Sequence, residues 1–194
     1  MSDESRPKTD PKIDPSVWIA PSAQIYGAVE LAPDVSIWHN AVLRAESQRI
    51  VIGRMTNLQD FSMAHIAYDN PTVIGDFCSI THRVTIHGCT VGDHCLVGIG
   101  AVIMDHAVIR DGSIVAGGAF VTERSVFPPH AIIAGVPAKQ IGERDCARAN
   151  RLNAWMYHRN AEFTRRGDYG AWIGPEYAAW LEAKSAEIEA DRDL

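Results

Sequence analysis

Three histidines, His65, His82 and His87, carry the side chains in this sequence best suited to hold a divalent cation. Imidazole is the commonest protein ligand for such an ion, and three neutral imidazoles leave positions open for water and a substrate. Each histidine keeps a defined place in a hydrophobic pattern: His65 follows Ala64, His87 follows Ile86, and His82 follows Ile80 by two. The plain alternative is three surface histidines. That is how His39, His94, His106, His130 and His158 read, as strand, corner or helix residues.

The pattern that carries them has a period of six. An aliphatic or aromatic residue recurs at Val97, Ile103, Ile109, Val115, Val121, Phe127 and Ile133. A small residue stands two before most of these, as at Ala101, Ala107, Ser113 and Ala119. The N-terminal half repeats the pattern at Ile19, Ile25, Leu31, Ile37 and Leu43. This is neither a helical period nor simple strand alternation. It suits a chain that turns a corner after each short strand, three hexads making a triangular coil of about 18 residues. Corners take residues such as Gly92-Asp93 and Asp111-Gly112-Ser113. The expectation is an all-β solenoid, a parallel β-helix over residues 16–138, preceded by a polar N-terminal arm at 1–15. An ordinary β-sandwich would not keep the spacing unbroken from Val97 to Ile133.

The pattern stops at Gly135-Val136-Pro137, and residues 139–194 read as a C-terminal helical segment. A first helix is expected near Arg144 to Arg166, with Leu152, Trp155, Met156 and Phe163 on its apolar face. Gly167-Asp168-Tyr169-Gly170 breaks it, and a second helix is expected from about Pro175 to Ala190. The pair would cover a face of the prism or cap its end.

Two interruptions lengthen the repeat. Leu43 to Ile52 is nine positions and Ala64 to Ile74 is ten, so extra residues fall at Arg44–Arg49 and near Ala67–Pro71. Loops thrown out of a solenoid often carry function. Counting through the second insertion puts Ala64 and Ile86 on one face of consecutive coils. His65 and His87 should then stack about one strand spacing apart, ~4.8 Å. His82 belongs to the adjacent face and cannot easily reach the same ion within one chain. A trimer around a threefold axis would bring His82 of one chain to His65 and His87 of its neighbour.

Composition sets outer bounds. The 194 residues are 46% hydrophobic with a formal net charge of -6, which argues against a general affinity for nucleic acid. No apolar run approaches the ~18 residues of a membrane-spanning helix. The N-terminus lacks the apolar stretch of a signal peptide, so a cytoplasmic location is the default expectation. Cys78, Cys89, Cys95 and Cys146 form no Cys-x-x-Cys pair and read as small buried side chains. Gly98-Ile99-Gly100 is a corner, not a dinucleotide fingerprint.

The stretch from Ser36 to Lys139 resembles the γ-class carbonic anhydrases of the hexapeptide-repeat superfamily. The resemblance rests on Ser36-Ile37-Trp38-His39-Asn40-Ala41-Val42-Leu43-Arg44, Thr56-Asn57-Leu58-Gln59-Asp60, His65, His82, His87-Gly88-Cys89 and Ala134-Gly135-Val136-Pro137-Ala138-Lys139. It implies a left-handed coil, a homotrimer and a metal at each subunit interface, zinc by default with ferrous iron or cobalt able to use the same ligands. His65 and His87 of one subunit and His82 of the next would be the ligands. Gln59 and Asn57 would orient the bound water, and Arg44 would pair with Asp60 across the interface. The implied reaction is reversible hydration of carbon dioxide to bicarbonate by a metal-bound hydroxide.

The sequence departs from that family at Arg44-Ala45-Glu46, where Arg-Gly-Asp is usual. Ser47 stands where the best-known members carry an acidic residue, and the loop Ile66–Pro71 is short and lacks glutamate. Glu46, Tyr68 and Asp69 are the candidates left for exporting a proton. Three other functions compete: a hexapeptide-repeat acyltransferase, an acyl-coenzyme A thioesterase, and a catalytically silent metal-binding trimer.

Overall fold

The computed structural model describes residues 10–191. Short strands fall on the hexad positions: Leu96–Val97, Val102–Ile103, Val108–Ile109, Ile114–Val115, Phe120–Val121 and Val126–Phe127. They pair in parallel from coil to coil, Val97 with Val115, Ile103 with Val121 and Ile109 with Phe127. The result is a left-handed β-solenoid of about 7 turns. Ile37, Leu58, Ile80, Val97, Val115 and Ile133 stack inside one face, and all are fully buried. Burial of each such side chain contributes about 1.5–3 kcal/mol. The hydrogen-bond ladder runs along the strands and also through the corners. At one corner, Asp76, Asp93 and Asp111 each accept the backbone N–H of Arg54, Asp76 and Asp93 respectively, at 2.8–3.0 Å. Several corners use left-handed backbone at larger residues than expected, among them Met55, Phe77 and Arg83.

The first interruption is a bulge within one strand rather than a separate loop. Val42–Ile52 runs on around a corner as a single strand. Its parallel ladder with Gln24–Leu31 skips from Gly27–Ala45 to Val29–Ile50, so residues 46–49 stand out of the pairing opposite a single residue. The second interruption does leave the coil. Residues 66–71 form a loop closed by Ala67 N–H to Asn70 O, 3.0 Å, and tied to the next coil by the Asn70 amide on Gly88 O, 2.8 Å.

The ends also differ. Lys12–Ile13 pairs with Glu30–Leu31, so sheet structure begins inside the stretch read as an arm. Residues 1–9 of that arm lie outside the described residues. Ala138–Glu143 pairs antiparallel with Ala131–Gly135, so residues 139–143 are strand, not helix.

Helix α1 spans Ala147–Arg165 and helix α2 spans Gly174–Ala190. Helix α1 covers the face built from Trp18–Ile19, Ser36–Ile37, Asn57–Leu58 and Ser79–Ile80. Its buried residues are Ala147, Asn150, Ala154 and Ala161, not the large residues anticipated. A helix lying close on a flat sheet face admits only small side chains along its seam. Leu152, Trp155, Met156 and Phe163 are partly buried at its flanks; Leu152 lines a crevice with Ile188 of α2, and Trp155 lies beneath Lys184. Asn150 donates to His94 O at 2.8 Å, and the Trp38 and Tyr157 rings meet edge to face at 5.6 Å. His94 is therefore no simple surface residue: it is half-buried and stacks on Phe77. No helix among the described residues is long and apolar enough to cross a membrane. All four cysteines are buried and free.

Candidate metal centre

The strands Met63–His65 and Thr85–His87 pair directly, Ala64 with Ile86 and His65 with His87. Their inward residues enter the core, so the two histidines project outward on one face. The imidazoles meet with Nδ1 of His65 2.9 Å from Nε2 of His87. Each ring is held from its far side by a carboxylate. Glu46 Oε2 lies 3.0 Å from His65 Nε2, and Asp105 Oδ1 sits in close contact with His87 Nδ1. Arg44 engages the other oxygen of Glu46.

That arrangement makes a demand. A carboxylate only accepts, so His65 Nε2 and His87 Nδ1 must each carry a proton. With both rings neutral, the two facing nitrogens are then bare, and their lone pairs point at each other. Burial first, then the Arg44 guanidinium and the neighbouring His87, push the pKa of His65 below its ordinary value, with Asp105 opposing. A neutral His65 is thus favoured, and its Nδ1 can accept from His87 Nε2 or, with that nitrogen bare as well, share a cation with it. Two imidazoles on one tetrahedral zinc would stand about 3.3 Å apart, given Zn–N near 2.0–2.1 Å. A small separation of the rings reaches that distance.

One chain supplies only this pair. Among the described residues no three His, Cys, Asp or Glu side chains converge as a metal cage. His82 sits at a corner, its Nδ1 3.1 Å from Asp60 Oδ2. Arg44 and Asp60 do not meet within the chain, since Arg44 turns to Glu46 and Asp60 to His82. Gln59 and Asn57 lie on the face beneath α1 and are almost fully buried. Gln59 Nε2 donates to Asn57 Oδ1 at 2.9 Å, Asn57 Nδ2 donates to Ser79 Oγ at 3.0 Å, and Ser79 Oγ donates to Asn153 Oδ1 at 2.8 Å. Within one chain they adjoin Asp60 and His82, not the histidine pair. Tyr68 is 90% exposed on the loop, and Asp69 Oδ1 is 3.2 Å from His106 Nε2.

Sequence reasoning missed Asp105 and the pairing of Asp60 with His82. Asp105 had a signal: it stands 18 residues after His87, one coil on, beside the same face. Asp60 and His82 are 22 residues apart, one coil lengthened by the expelled loop.

The left-handed prism of hexapeptide coils sets the class of fold, and comparison with known proteins narrows it. No family model matches the chain. It is 45% identical over 131 residues to a probable carbonic anhydrase of Methanocaldococcus jannaschii, covering 68% of this chain and 82% of that one. It is 38% identical over 135 residues to the mitochondrial gamma carbonic anhydrase 2 of Arabidopsis thaliana, covering 66% of this chain but spanning only 49% of that relative. Among solved structures, a hexapeptide transferase family protein of Anaplasma phagocytophilum superposes with a TM-score of 0.75 at 33% identity, over 78% of this chain and 91% of that one. The chain belongs to the γ-carbonic anhydrase family of hexapeptide-repeat proteins.

Proposed function

We propose that the protein is a homotrimeric, metal-dependent carbonic anhydrase that interconverts carbon dioxide and bicarbonate. The observation that carries this reading is the His65–His87 pair, whose facing nitrogens suit a shared cation and which has no third ligand beside it among the described residues. His82, held by Asp60 on another corner, is the residue a neighbouring copy would present. A divalent ion bound by three imidazoles, zinc by default and ferrous iron or cobalt alternatively, lowers the pKa of water to about 7 and so supplies a nucleophile at neutral pH.

The chain's own residues do the rest. His65 and His87 hold the ion from one subunit and His82 from the next. Gln59, buried beside Asn57 in this chain, would have to turn out from beneath α1 to orient water at the shared site beside His82. Within one chain Arg44 has Glu46 as its partner; across an interface Asp60 would compete for it. Glu46, in contact with His65 and half-exposed, can pass a proton outward, with Tyr68 and Asp69 on the adjoining loop.

The likeness to a hexapeptide transferase family protein sustains a second reading, acyl transfer from coenzyme A. The test is the His82→Ala variant beside the parent protein, each reloaded anaerobically with zinc, cobalt or ferrous iron. Metal content and carbon dioxide hydration by stopped flow should fall together in the variant. Full metal retention by the variant would remove the three-histidine site. Metal binding in the parent without hydration, alongside turnover of an acyl thioester, would favour the second reading.

A further inference from the structure

Asp105 lies outside the residues that the sequence pattern marks, yet its carboxylate takes the Nδ1 side of His87. We infer that Asp105 is a positioning residue: it selects the His87 tautomer protonated at Nδ1 and so leaves Nε2 bare toward His65 and the cation. The inference rests on the metal-site reading for its purpose, but the tautomer can be read without metal.

A free neutral imidazole can carry its proton on either nitrogen, and the partner of one nitrogen decides the state of the other. An ionised carboxylate has no proton to give, so the nitrogen that touches it must donate. The contact also fixes the ring plane, because Asp105 is held by the coil. Its backbone carbonyl accepts Arg124 N–H at 2.9 Å, and the neighbouring His106 N–H reaches Gly88 O at 2.7 Å, immediately after His87. Carboxylate and imidazole therefore ride on hydrogen-bonded backbone of adjacent coils. Those backbone bonds do not involve the Asp105 side chain, so its replacement should leave the corner intact. The half-exposed Glu46 makes the matching contact on His65, but on Nε2, so the two rings present opposite nitrogens to each other. Asp105 is the less exposed of the two carboxylates, 26% against 48%. Less water competes for its contact.

The experiment uses the full chain with Asp105→Ala and Asp105→Asn, circular dichroism serving as the folding check. Long-range proton–nitrogen correlation spectra of the metal-free protein, with His87 assigned through a His87→Gln control, report the tautomer. The parent protein should show His87 with its proton at Nδ1. Asp105→Ala should shift it toward Nε2–H, and Asp105→Asn should give a mixture, because an amide can either accept or donate. Zinc affinity measured by chelator competition should weaken 10–100-fold, about the usual consequence of losing an outer-shell partner of a ligating histidine. An Nε2–H tautomer in the parent, or an unchanged tautomer in Asp105→Ala, overturns the inference. So does unaltered zinc affinity in a variant of a parent that binds zinc. A parent that binds no metal defeats the proposed function instead, while the spectra still decide whether Asp105 sets the tautomer.

Discussion

Replacing Asn57 by alanine tests whether the amide array under α1 is a connected unit. Asn57 is 1% exposed and Gln59 is 1% exposed, so water cannot readily substitute for lost partners. The side chain accepts one bond from Gln59 at 2.9 Å and donates to Ser79 Oγ at 3.0 Å and to Cys78 O at 3.3 Å. Alanine affects these unequally. Cys78 O keeps the backbone N–H of residue 57 at 3.0 Å, and Ser79 keeps Asn153 at 2.8 Å. Gln59 Nε2 loses its acceptor altogether. An orphaned buried donor costs about 1–3 kcal/mol and a lost net hydrogen bond about 0.5–1.5. The sum is a destabilisation of about 1.5–4.5 kcal/mol. Urea unfolding at one fixed subunit concentration is the assay, because assembly makes apparent stability concentration-dependent. Coupling with Gln59→Ala should be about 0.5–3 kcal/mol in a double-mutant cycle. A loss for Asn57→Ala below about 0.5 kcal/mol, the range of ordinary surface substitutions, or strict additivity with Gln59→Ala, would refute the reasoning.

Two other perturbations probe the frame. Burial, then Arg151, hold His94 below its ordinary pKa despite opposing aspartates, and His65 is also lowered. The unfolded chain therefore takes up these protons first, and stability should fall as the pH drops below about 6.5, the unfolded histidine value. His94→Asn suits the left-handed backbone there, φ 54, and should make that decline shallower; urea midpoints at pH 7.5 and 5.5 in both proteins would show it, and an unchanged slope would acquit His94. Gly27→Ala should destabilise by about 2–5 kcal/mol, combining left-handed strain of about 1–2 with overpacking of about 1–3. Gly27 has φ 78, and a Cβ there would lie 1.8 Å from Ala45 O, between Arg44 and Glu46. An unfolding midpoint equal to that of the parent would show that the paired bend is not rigid.

The spacing of single residues made the coil legible. Val97 through Ile133 keep step every six positions because each inward side chain must fill the same prism, and that demand is local and periodic. The same register carried the pairing of His65 with His87, since both follow inward residues of consecutive coils. At Arg44–Arg49 the three extra residues stay within one strand as a bulge, because the adjacent strand keeps its normal length there. A length change shows in sequence, but whether it becomes a bulge or a separate loop is decided by the pairing on either side. The seam of α1 was misread for a related reason. Large apolar residues announce a hydrophobic face, whereas the closeness of helix and sheet selected Ala154 and Ala161 for contact.

The sequence by itself determined the period, the inward residues, the approximate helices and the stacking of two histidines. Each follows from short-range repetition along the chain. The tertiary structure decided which polar groups meet: Asp105 with His87, Asp60 with His82, Glu46 with His65, and Asn57 between Gln59 and Ser79. Side-chain hydrogen bonds depend on rotamers and on a few tenths of an ångström, and no periodicity carries that information.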